Sequence, residues 1–257
     1  MFEEILNYVK IKKPLIHCIT NPISINQCAN AILAVGAKPI MAEHPKEVEE
    51  ITSNADALVL NLGNITDIRM ESMIKSVRIA NKKKIPIVTD AVGVACSDLR
   101  RKFMHKLLEN NVTLIKGNYS EIKALYEVEY KIFGVDADFS GVGYIKEITK
   151  KLAEKYNCMI LASGKEDIIS DGKRVFSVKN GTPQLSQITG TGCMLGALCG
   201  CFLSVSKNIY GAVTACGVLG VCGEYAQTNK GNGTFSVRLM DALSQKINKE
   251  EFKIEEL

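Results

Sequence analysis

Short apolar runs alternate along this sequence with segments whose apolar residues recur at helical spacing. Leu15–Ile19, Ala57–Asn61 and Ile85–Thr89 are three of these runs, and helical patterns lie between them. Strands joined by helices pair in parallel, because each helix carries the chain back along a face of the sheet. We therefore predict an α/β fold with a mostly parallel central sheet and helices on both faces.

The remaining elements follow from the same two periodicities. The other predicted parallel strands are Pro39–Ala42, Val112–Ile115 and Cys158–Ala162, with Lys116–Asn118 as the turn after the second of them. The predicted helices are Met1–Lys13, Ser24–Val35, Pro45–Ser53, Asp67–Asn81, Asp98–Asn110, Ser120–Tyr126, Tyr144–Tyr156, Cys193–Val205, Ile209–Ala226 and Val237–Ile247. Asp171-Gly172, between Asp167–Ser170 and Lys173–Val178, predicts a small antiparallel hairpin at the sheet edge. Glu127–Val142 carries neither pattern and is interpreted as a surface loop or a cover.

Nothing in the sequence divides the chain. It has 257 residues, which suits one large α/β domain, and it contains no linker, repeat or low-complexity segment. With 46% hydrophobic and 23% charged residues, its composition is typical of a globular protein and unlike that of a disordered one. We predict a single domain over residues 1–257.

Charge and cysteine content narrow the partners and the compartment. The net charge is +4, but the longest basic run is only Lys82–Lys84, so we expect no nucleic-acid partner. The nine cysteines form no CxxC pair and no Cys/His cluster, which favours a reducing cytoplasm over a disulfide scaffold or a zinc site. Met1–Lys13 is unlike a signal peptide, and Cys193–Val205 is too short to span a membrane. We expect a cytoplasmic protein without a membrane partner.

The stretch Gly190–Gly196 is the most distinctive part of the sequence. Gly190 and Gly192 precede a run of small apolar residues that predicts a helix. Glycine lets the backbone approach a ligand closely, and the free N–H groups of a helix N-terminus favour an anion, phosphate above all. Cys193 falls in the first turn, where thiols become functional, although most of the nine cysteines must be small core residues. We predict an anion site with Cys193 beside it.

Polar residues follow the predicted strands, at the sheet edge where α/β proteins bind ligands. Asp90 follows one strand, Lys116 and Asn118 follow another, and Glu121 lies three residues further on. Two carboxylates and an amide next to a phosphate suit Mg²⁺, which takes oxygen ligands. The alternative is that Asp90 and Glu121 only cap helices and that Lys116 is solvated instead of neutralising a phosphate. Both interpretations remain open at this point.

Two common nucleotide-binding motifs are missing. The sequence contains no Walker A segment, and Gly190–Gly196 misses the dinucleotide fingerprint by one residue, with no acidic residue about 20 positions on. His17, His44 and His105 are widely separated, so none of them makes a convincing catalytic base. P-loop and nicotinamide-dependent chemistry are therefore disfavoured.

Seven segments of the sequence occur in the order and spacing of a known protein family. They are His17–Asn21, Cys28–Asn30, Pro39–Ala42, Leu58–Asn61, Lys116–Glu121, Ile169–Gly172 and Thr189–Leu195. On these segments the chain resembles the hydroxyethylthiazole kinase family of the ribokinase-like superfamily, over about residues 14–245. The Thr-Gly-Thr-Gly-Cys-Met stretch is specific, because many ribokinase-like relatives carry an aspartate base where this family has cysteine.

The resemblance implies a ribokinase-like fold and a reaction. ATP would phosphorylate the primary alcohol of 4-methyl-5-(2-hydroxyethyl)thiazole, with Mg²⁺, in thiamine biosynthesis or salvage. Cys193 would be the catalytic residue that accepts or orients the hydroxyl proton. The other implied site residues are Met41 and Gly190, with Asn21 nearby, for the thiazole; Lys116, Ser163 and Asn118 for ATP; and Asp90 and Glu121 for the metal. Members of the family are homotrimers with active sites shared between subunits, and we expect the same assembly here.

Three positions depart from the family pattern. Asp90 is followed by Ala91 where proline is usual, Lys116 stands where arginine is common, and Ser163 replaces a threonine. None of these changes removes a functional group, so we expect the activity to survive and the affinity for ATP to be the quantity affected.

Three other functions fit the same residues. One is a ribokinase-like kinase for another small alcohol, such as hydroxymethylpyrimidine, and another is a nucleotide-dependent dehydratase of the same fold. The third is a thiazole or thiamine binder without turnover, and the presence of Asp90, Glu121 and Cys193 argues against it.

Overall fold

The computed structural model describes residues 1–130, 142–245 and 247–257, and their strands form one nine-stranded sheet. The strands are β1 (Leu15–Ile19), β2 (Lys38–Ile40), β3 (Ala57–Asn61), β4 (Ile87–Asp90), β5 (Leu114–Asn118), β6 (Met159–Ser163), β7 (Asp167–Ser170), β8 (Val175–Val178) and β9 (Ile254–Glu256). The helices are α1 (Phe2–Lys12), α2 (Ile25–Ala34), α3 (Val48–Asn54), α4 (Asp67–Lys83), α5 (Asp98–Leu108), α6 (Tyr119–Tyr130), α7 (Val142–Tyr156), α8 (Thr191–Val205), α9 (Ile209–Ala226) and α10 (Asn232–Leu243).

The strand order confirms the predicted fold class. Along the sheet the order is β2-β1-β3-β4-β5-β6-β7-β8-β9, in which β1 to β6 pair in parallel and β6 to β9 pair antiparallel. The predicted hairpin is formed by β7 and β8, and Gly172 in its turn has a φ of 86°. The sequence pattern does not reveal β9, because three residues are too few to establish a period.

Helices cover both faces of the sheet, as predicted. α1, α2, α8, α9 and α10 enclose one apolar core, and α3 to α7 enclose the other. α8 and α9 are apolar on all sides because other elements surround them. Among the described residues, α9 is the one helix long and apolar enough to cross a membrane, and 83% of it is buried inside the protein. It is therefore a core helix of this sheet.

Several of the predicted boundaries are wrong, and four of them bear on the description of the fold. Lys116–Asn118 belongs to β5 and not to a turn, because its backbone continues the ladder as far as Ser163 of β6. α3 begins at Val48, after a turn, and α10 begins at Asn232, where neighbouring glycines conceal the helical pattern. Residues 127–130, predicted to be irregular, extend α6, and residues 131–141 of that segment lie outside the described residues.

Candidate active site

The carboxyl ends of four neighbouring parallel strands bring polar side chains into one row. The register pairs Asn61 of β3 with Asp90 of β4, and Asp90 with Lys116 of β5. Asn21 follows β1, which is the neighbour of β3 on the other side. All four residues are buried, with at most 5% of their surface exposed. Because buried polar groups are costly unless they are paired, this row marks the candidate active site.

The N-terminus of α8 reaches this row because the helix contains small residues. Gly190 directly precedes α8 and has a φ of 94°, which favours glycine. A Cβ on Gly190 would lie 3.0 Å from Cβ of Ser24. A Cβ on Gly196 would lie 3.5 Å from a carboxylate oxygen of Asp90. A Cβ on Gly200 would lie 2.4 Å from Cγ2 of Val59 in β3. The glycines thus let α8 lie directly on β3 and β4.

Cys193 lies in the first turn of α8, and two carboxamides hold its sulfur. The sulfur accepts hydrogen bonds from Nδ2 of Asn21 and from Nδ2 of Asn61, each at 3.3 Å. The side chain is half-buried, whereas seven other cysteines are buried. Burial raises the pKa of Cys28 and Cys158 to about 12, so these residues remain thiols in the core. Cys193 is therefore distinguished from them by its hydrogen-bond donors and its exposure.

Asp90 and Lys116 form a buried ion pair in the middle of the row. Nζ of Lys116 donates to both carboxylate oxygens of Asp90, at 3.1 and 3.2 Å. Burial raises the pKa of Asp90 to about 6; Lys116 opposes that rise, and Glu121 adds to it. Burial lowers the pKa of Lys116, but the two nearby carboxylates outweigh this effect and the net direction is upward. The pair is charged at neutral pH, and the alternative of a solvated Lys116 is wrong.

Glu121 caps the start of α6 and links two strand ends. Its Oε2 accepts from the backbone N–H of Asn118 at 2.7 Å, and Oδ1 of Asn118 accepts from the backbone N–H of Glu121 at 2.9 Å. Oε1 of Glu121 accepts from the backbone N–H of Gly93, after β4, at 2.8 Å. Glu121 therefore caps α6, while the carboxylate of Asp90 is paired with Lys116 and Asn61. Each oxygen of Glu121 accepts one N–H group and keeps a lone pair for a cation.

The remaining site residues predicted from the sequence lie along the same edge. Ser163 at the end of β6 pairs with Asn118 at the end of β5, and its hydroxyl donates to the carbonyl of Gly117 at 3.3 Å. Met41 follows β2, is half-buried and packs against the apolar core. The structure thus brings all nine predicted site residues to the carboxyl edge of the sheet or to the N-terminus of α8.

His17 has a structural role. It is buried in β1, where Nε2 donates to the carbonyl of Ala42 at 2.9 Å and Nδ1 lies 2.9 Å from Oγ1 of Thr52. Burial lowers its pKa, which keeps the imidazole neutral. These contacts agree with the expectation that His17 is not a catalytic base.

Asn61 lies at one of the strand ends that predict the site, but its sequence context indicates no particular role for it. Its amide contacts both Asp90 and Cys193. The signal that reveals it is an asparagine at the end of an otherwise apolar buried strand, since a buried amide requires partners for its hydrogen bonds.

The mostly parallel sheet, covered by helices on both faces and edged by antiparallel strands, has the ribokinase-like architecture that the motifs imply. The fold is similar to that of the pyridoxal kinase from Staphylococcus aureus solved in complex with AMP-PCP and pyridoxal. The TM-score is 0.69 at 13% sequence identity, over 95% of this chain and 98% of that chain. At this identity the likeness concerns the fold alone.

Closer relatives identify the family. A family model described as the hydroxyethylthiazole kinase family matches residues 6–250. The chain is 47% identical over 245 residues to hydroxyethylthiazole kinase 2 of Clostridium botulinum (strain Kyoto / Type A2). The aligned region covers 93% of this chain and 92% of that protein. The solved structure of the hydroxyethylthiazole kinase protein from Pyrococcus horikoshii OT3 has a TM-score of 0.92 and 36% identity, covering 100% of this chain and 98% of that chain. The chain belongs to the hydroxyethylthiazole kinase family, and the resemblance inferred from its motifs is confirmed.

Proposed function

We propose that this protein uses ATP to phosphorylate the hydroxyl group of 4-methyl-5-(2-hydroxyethyl)thiazole, in thiamine biosynthesis or salvage. Membership of the hydroxyethylthiazole kinase family supports this function. The observation that carries this proposal is the position of Cys193 at the N-terminus of α8. The amide nitrogen of Asn61 donates both to the sulfur of Cys193 and to Asp90, which is paired with Lys116. Phosphoryl transfer to an alcohol requires a proton acceptor close to groups that neutralise phosphate charge.

We assign the thiazole to the end of the row that lies beside β1 and β2. Met41 would offer an apolar surface to the ring, and Gly190 would allow the ring to approach the backbone. Asn21 donates to the sulfur of Cys193, so a ring beside Asn21 would also lie beside the proton acceptor. This placement directs the hydroxyl group of the substrate towards Cys193.

ATP is assigned to the side formed by β5 and β6. A Cβ on Gly192 would lie 3.2 Å from Nζ of Lys116, so this cation lies against the first turn of α8. Lys116 and the N–H groups of that turn would neutralise the oxygens of the transferring phosphoryl group. Asn118 and Ser163 offer an amide and a hydroxyl at the neighbouring strand ends. Positioning and charge neutralisation supply most of the catalysis in this type of reaction.

Asp90 and Glu121 are assigned to Mg²⁺. Both offer carboxylate oxygens, and the charge of Glu121 adds to the effect of burial in raising the pKa of Asp90, a repulsion that a divalent cation relieves. In the part of the chain that the structure describes, no group of three His, Cys, Asp or Glu side chains is placed to hold a metal. The two carboxylates fit an ion whose other ligands are phosphate oxygens and water. When bound, Mg²⁺ would neutralise charge on the phosphates.

Cys193 is assigned the proton of the substrate hydroxyl, which it would accept or orient. In a loose transition state this proton leaves late, so the residue should contribute on the order of 10²–10⁴-fold to kcat. The sulfur needs to form no bond to substrate for this purpose, and we expect no covalent intermediate.

A coupled ADP-release assay with the purified protein, Mg²⁺ and the thiazole alcohol tests the function. We expect ADP release that depends on the thiazole alcohol, with hydroxymethylpyrimidine turned over at less than about one-tenth of the rate. Preferred turnover of hydroxymethylpyrimidine would indicate a different ribokinase-like kinase, and a dehydrated product would indicate a lyase. Binding of the thiazole without ADP release would indicate a binder without turnover.

Assembly and compartment belong to the same proposal: a homotrimer of single-domain chains in the cytoplasm. The trimer with shared active sites rests on the family resemblance. All nine cysteines are free thiols, which supports a reducing compartment. One continuous sheet through the described residues supports a single domain.

A further inference from the structure

The carboxamide of Asn61 makes four hydrogen bonds at the centre of the site. Its Nδ2 donates to Oδ2 of Asp90 at 2.9 Å and to the sulfur of Cys193 at 3.3 Å. Its Oδ1 accepts from the backbone N–H of Gly63 at 2.8 Å and from Nδ2 of Asn21 at 3.0 Å. Both donors of the nitrogen and both lone pairs of the oxygen are therefore in use.

These contacts allow one orientation of the Asn61 carboxamide. If the group were flipped, its oxygen would face the carboxylate of Asp90 and the sulfur of Cys193, and its NH₂ would face two other N–H donors. The contacts with Asp90, Gly63 and Asn21 would become repulsive, and the hydrogen bond from Nδ2 to the sulfur would be lost. The side chain is also only 2% exposed, at the end of a strand that is buried along its length.

Asn21 is held in the same way. Its Oδ1 accepts from the backbone N–H of Ser24 at 3.1 Å, and its Nδ2 donates to Asn61 and to Cys193 at 3.0 and 3.3 Å. Neither carboxamide can turn without breaking a hydrogen bond to the other. The sulfur therefore meets two fixed N–H donors, and an S–H hydrogen would have to point away from both of them.

The two N–H groups of Asn61 connect the carboxylate of Asp90, proposed to bind the metal, with the sulfur of Cys193, proposed to accept the proton. Both belong to one planar nitrogen, so they diverge at a fixed angle and hold the carboxylate and the sulfur at a fixed separation. Asp90 is anchored on the other side by Lys116, at 3.1 Å. On its nitrogen side, Asn61 contacts only groups to which the proposed function gives a role, while its oxygen side is anchored by Gly63 and Asn21.

We propose that Asn61 is a positioning residue for phosphoryl transfer, whose carboxamide holds the sulfur of Cys193 at a fixed place relative to Asp90. The inference rests on the function proposed above for Cys193. Asn61 acts through these two residues and itself touches neither substrate. A proton acceptor lowers the barrier only when it lies within hydrogen-bond distance of the substrate hydroxyl. A displacement of about 1 Å can therefore lower the rate substantially.

Asn61→Asp tests the contact with little change in shape. The new carboxyl group keeps an oxygen for Gly63 and Asn21, but in place of two N–H donors it offers Asp90 and Cys193 an oxygen that can carry at most one proton, shared with Asp90. The sulfur of Cys193 therefore loses its donor from residue 61. We expect kcat to fall on the order of 100-fold while the KM for the thiazole alcohol changes less than about threefold. Circular dichroism and thermal unfolding establish that the variant is folded.

Alkylation of Cys193 by iodoacetamide gives a second measurement that needs no turnover. The thiolate is the reacting species, so a carboxylate beside the sulfur should slow alkylation about 10-fold at fixed pH. Exposed Cys96 in the same protein is the internal reference, and peptide mass spectrometry gives both rates from one sample. A wild-type protein without kinase activity would refute the proposed function, and the alkylation ratio would still decide whether Asn61 positions Cys193.

Two further variants complete the test. Asn7→Asp makes the same chemical change on the exposed side of α1 and should leave kcat, KM and both alkylation rates unchanged. Asn61→Ala removes the donors without adding a charge, and it decides the matter if Asn61→Asp does not fold; its kcat should fall about 10-fold with little change in KM. The inference is overturned if kcat of the folded variants stays within about threefold of the wild type, or if the alkylation ratio in Asn61→Asp is unchanged.

Discussion

The function proposed for Cys193 depends more on the donors around the sulfur than on sulfur itself. Nδ2 of Asn21 and Nδ2 of Asn61 approach from two sides, and such amide donors suit any acceptor, a thiolate or a carboxylate. The first turn of α8 adds further N–H groups nearby. A side chain that accepts a proton should therefore work at this position, and one that cannot should fail.

Cys193→Ala should lower kcat on the order of 10²–10⁴-fold and change KM much less, because a proton acceptor acts mainly in the transition state. Cys193→Asp should keep activity well above that of Cys193→Ala, since a carboxylate accepts from the same carboxamides. Steady-state ADP release measures both, with Cys96→Ala as the control at an exposed thiol. An unchanged kcat in Cys193→Ala would show that the Cys193 side chain has only a packing role. A folded but inactive Cys193→Asp variant would contradict its role as proton acceptor.

Asp90 should make the stability of the metal-free protein depend on pH. Burial raises its pKa from 3.8 to about 6 in the folded chain, so between these values the folded chain binds the proton more tightly than the unfolded chain does. The stability that this contributes is complete below pH 3.8 and is lost as the pH rises through about 6. Relative to Asp90→Asn, the wild type should gain on the order of 3 kcal/mol in unfolding free energy as the pH falls from about 7 to about 4.

Denaturant unfolding in EDTA across this pH range measures the effect on stability. Asp241→Asn, at an exposed position on α10, is the matched control and should follow the wild type at every pH. A difference between the wild type and Asp90→Asn that stays constant with pH would contradict the prediction.

At the scale of single elements, α8 both fills the core and presents its N-terminus to the site. Gly200 is the position where it lies closest to β3, because a Cβ there would come within 2.4 Å of Val59. Gly200→Ala should lower the unfolding free energy by about 1–3 kcal/mol, since the helix or the strand must shift. It should also lower kcat, because the same helix carries Cys193. Thermal unfolding and ADP release measure the two effects.

Gly233→Ala on α10 is the matched control for this helix substitution. Among the described residues, no heavy atom other than those of its own chain neighbours and helix backbone lies within 4 Å of a Cβ at that position, so the change should be neutral or should raise stability by up to about 1 kcal/mol. Equal losses of stability in the two variants would show that close packing of α8 on β3 is not the cause.

The elements that form the site could be predicted from the sequence, but the partners of its side chains could not. Strand ends, Gly190 before α8 and the hairpin at Asp171-Gly172 have local signals that the structure agrees with. Asn61 and Lys116 both form hydrogen bonds to Asp90, which lies 29 and 26 residues away in the sequence. The strand register brings them together, and no local sequence pattern specifies that register. The glycine and asparagine of Lys116–Asn118 predict a turn, because both residues favour turns, but pairing with β6 overrides that preference.

At the scale of the whole molecule, the sheet order separates the site from the antiparallel edge. The candidate site residues lie at the carboxyl ends of the parallel strands or at the N-terminus of α8, and β7 to β9 extend the sheet beyond β6. Three large apolar side chains near the other end are exposed: Ile23 by 64%, Leu33 by 55% and Val237 by 63%. Ile23 lies two residues after Asn21, Leu33 lies on α2, and Val237 lies on α10, which packs against α2. These are the exposed side chains that we expect the trimer to cover.

Light scattering should therefore give about 84 kDa for the protein in solution, three chains of 28.1 kDa. Val237→Glu should shift this mass towards that of one chain, because a charge would have to be buried in the contact. Activity should fall with it, since the expected trimer shares its active sites between subunits. Leu99→Glu adds the same charge at a side chain that is 56% exposed on α5, on the opposite face of the sheet, and should leave a trimer. A wild type of 28.1 kDa, or a Val237→Glu variant that stays trimeric, would contradict this assignment of the contact surface.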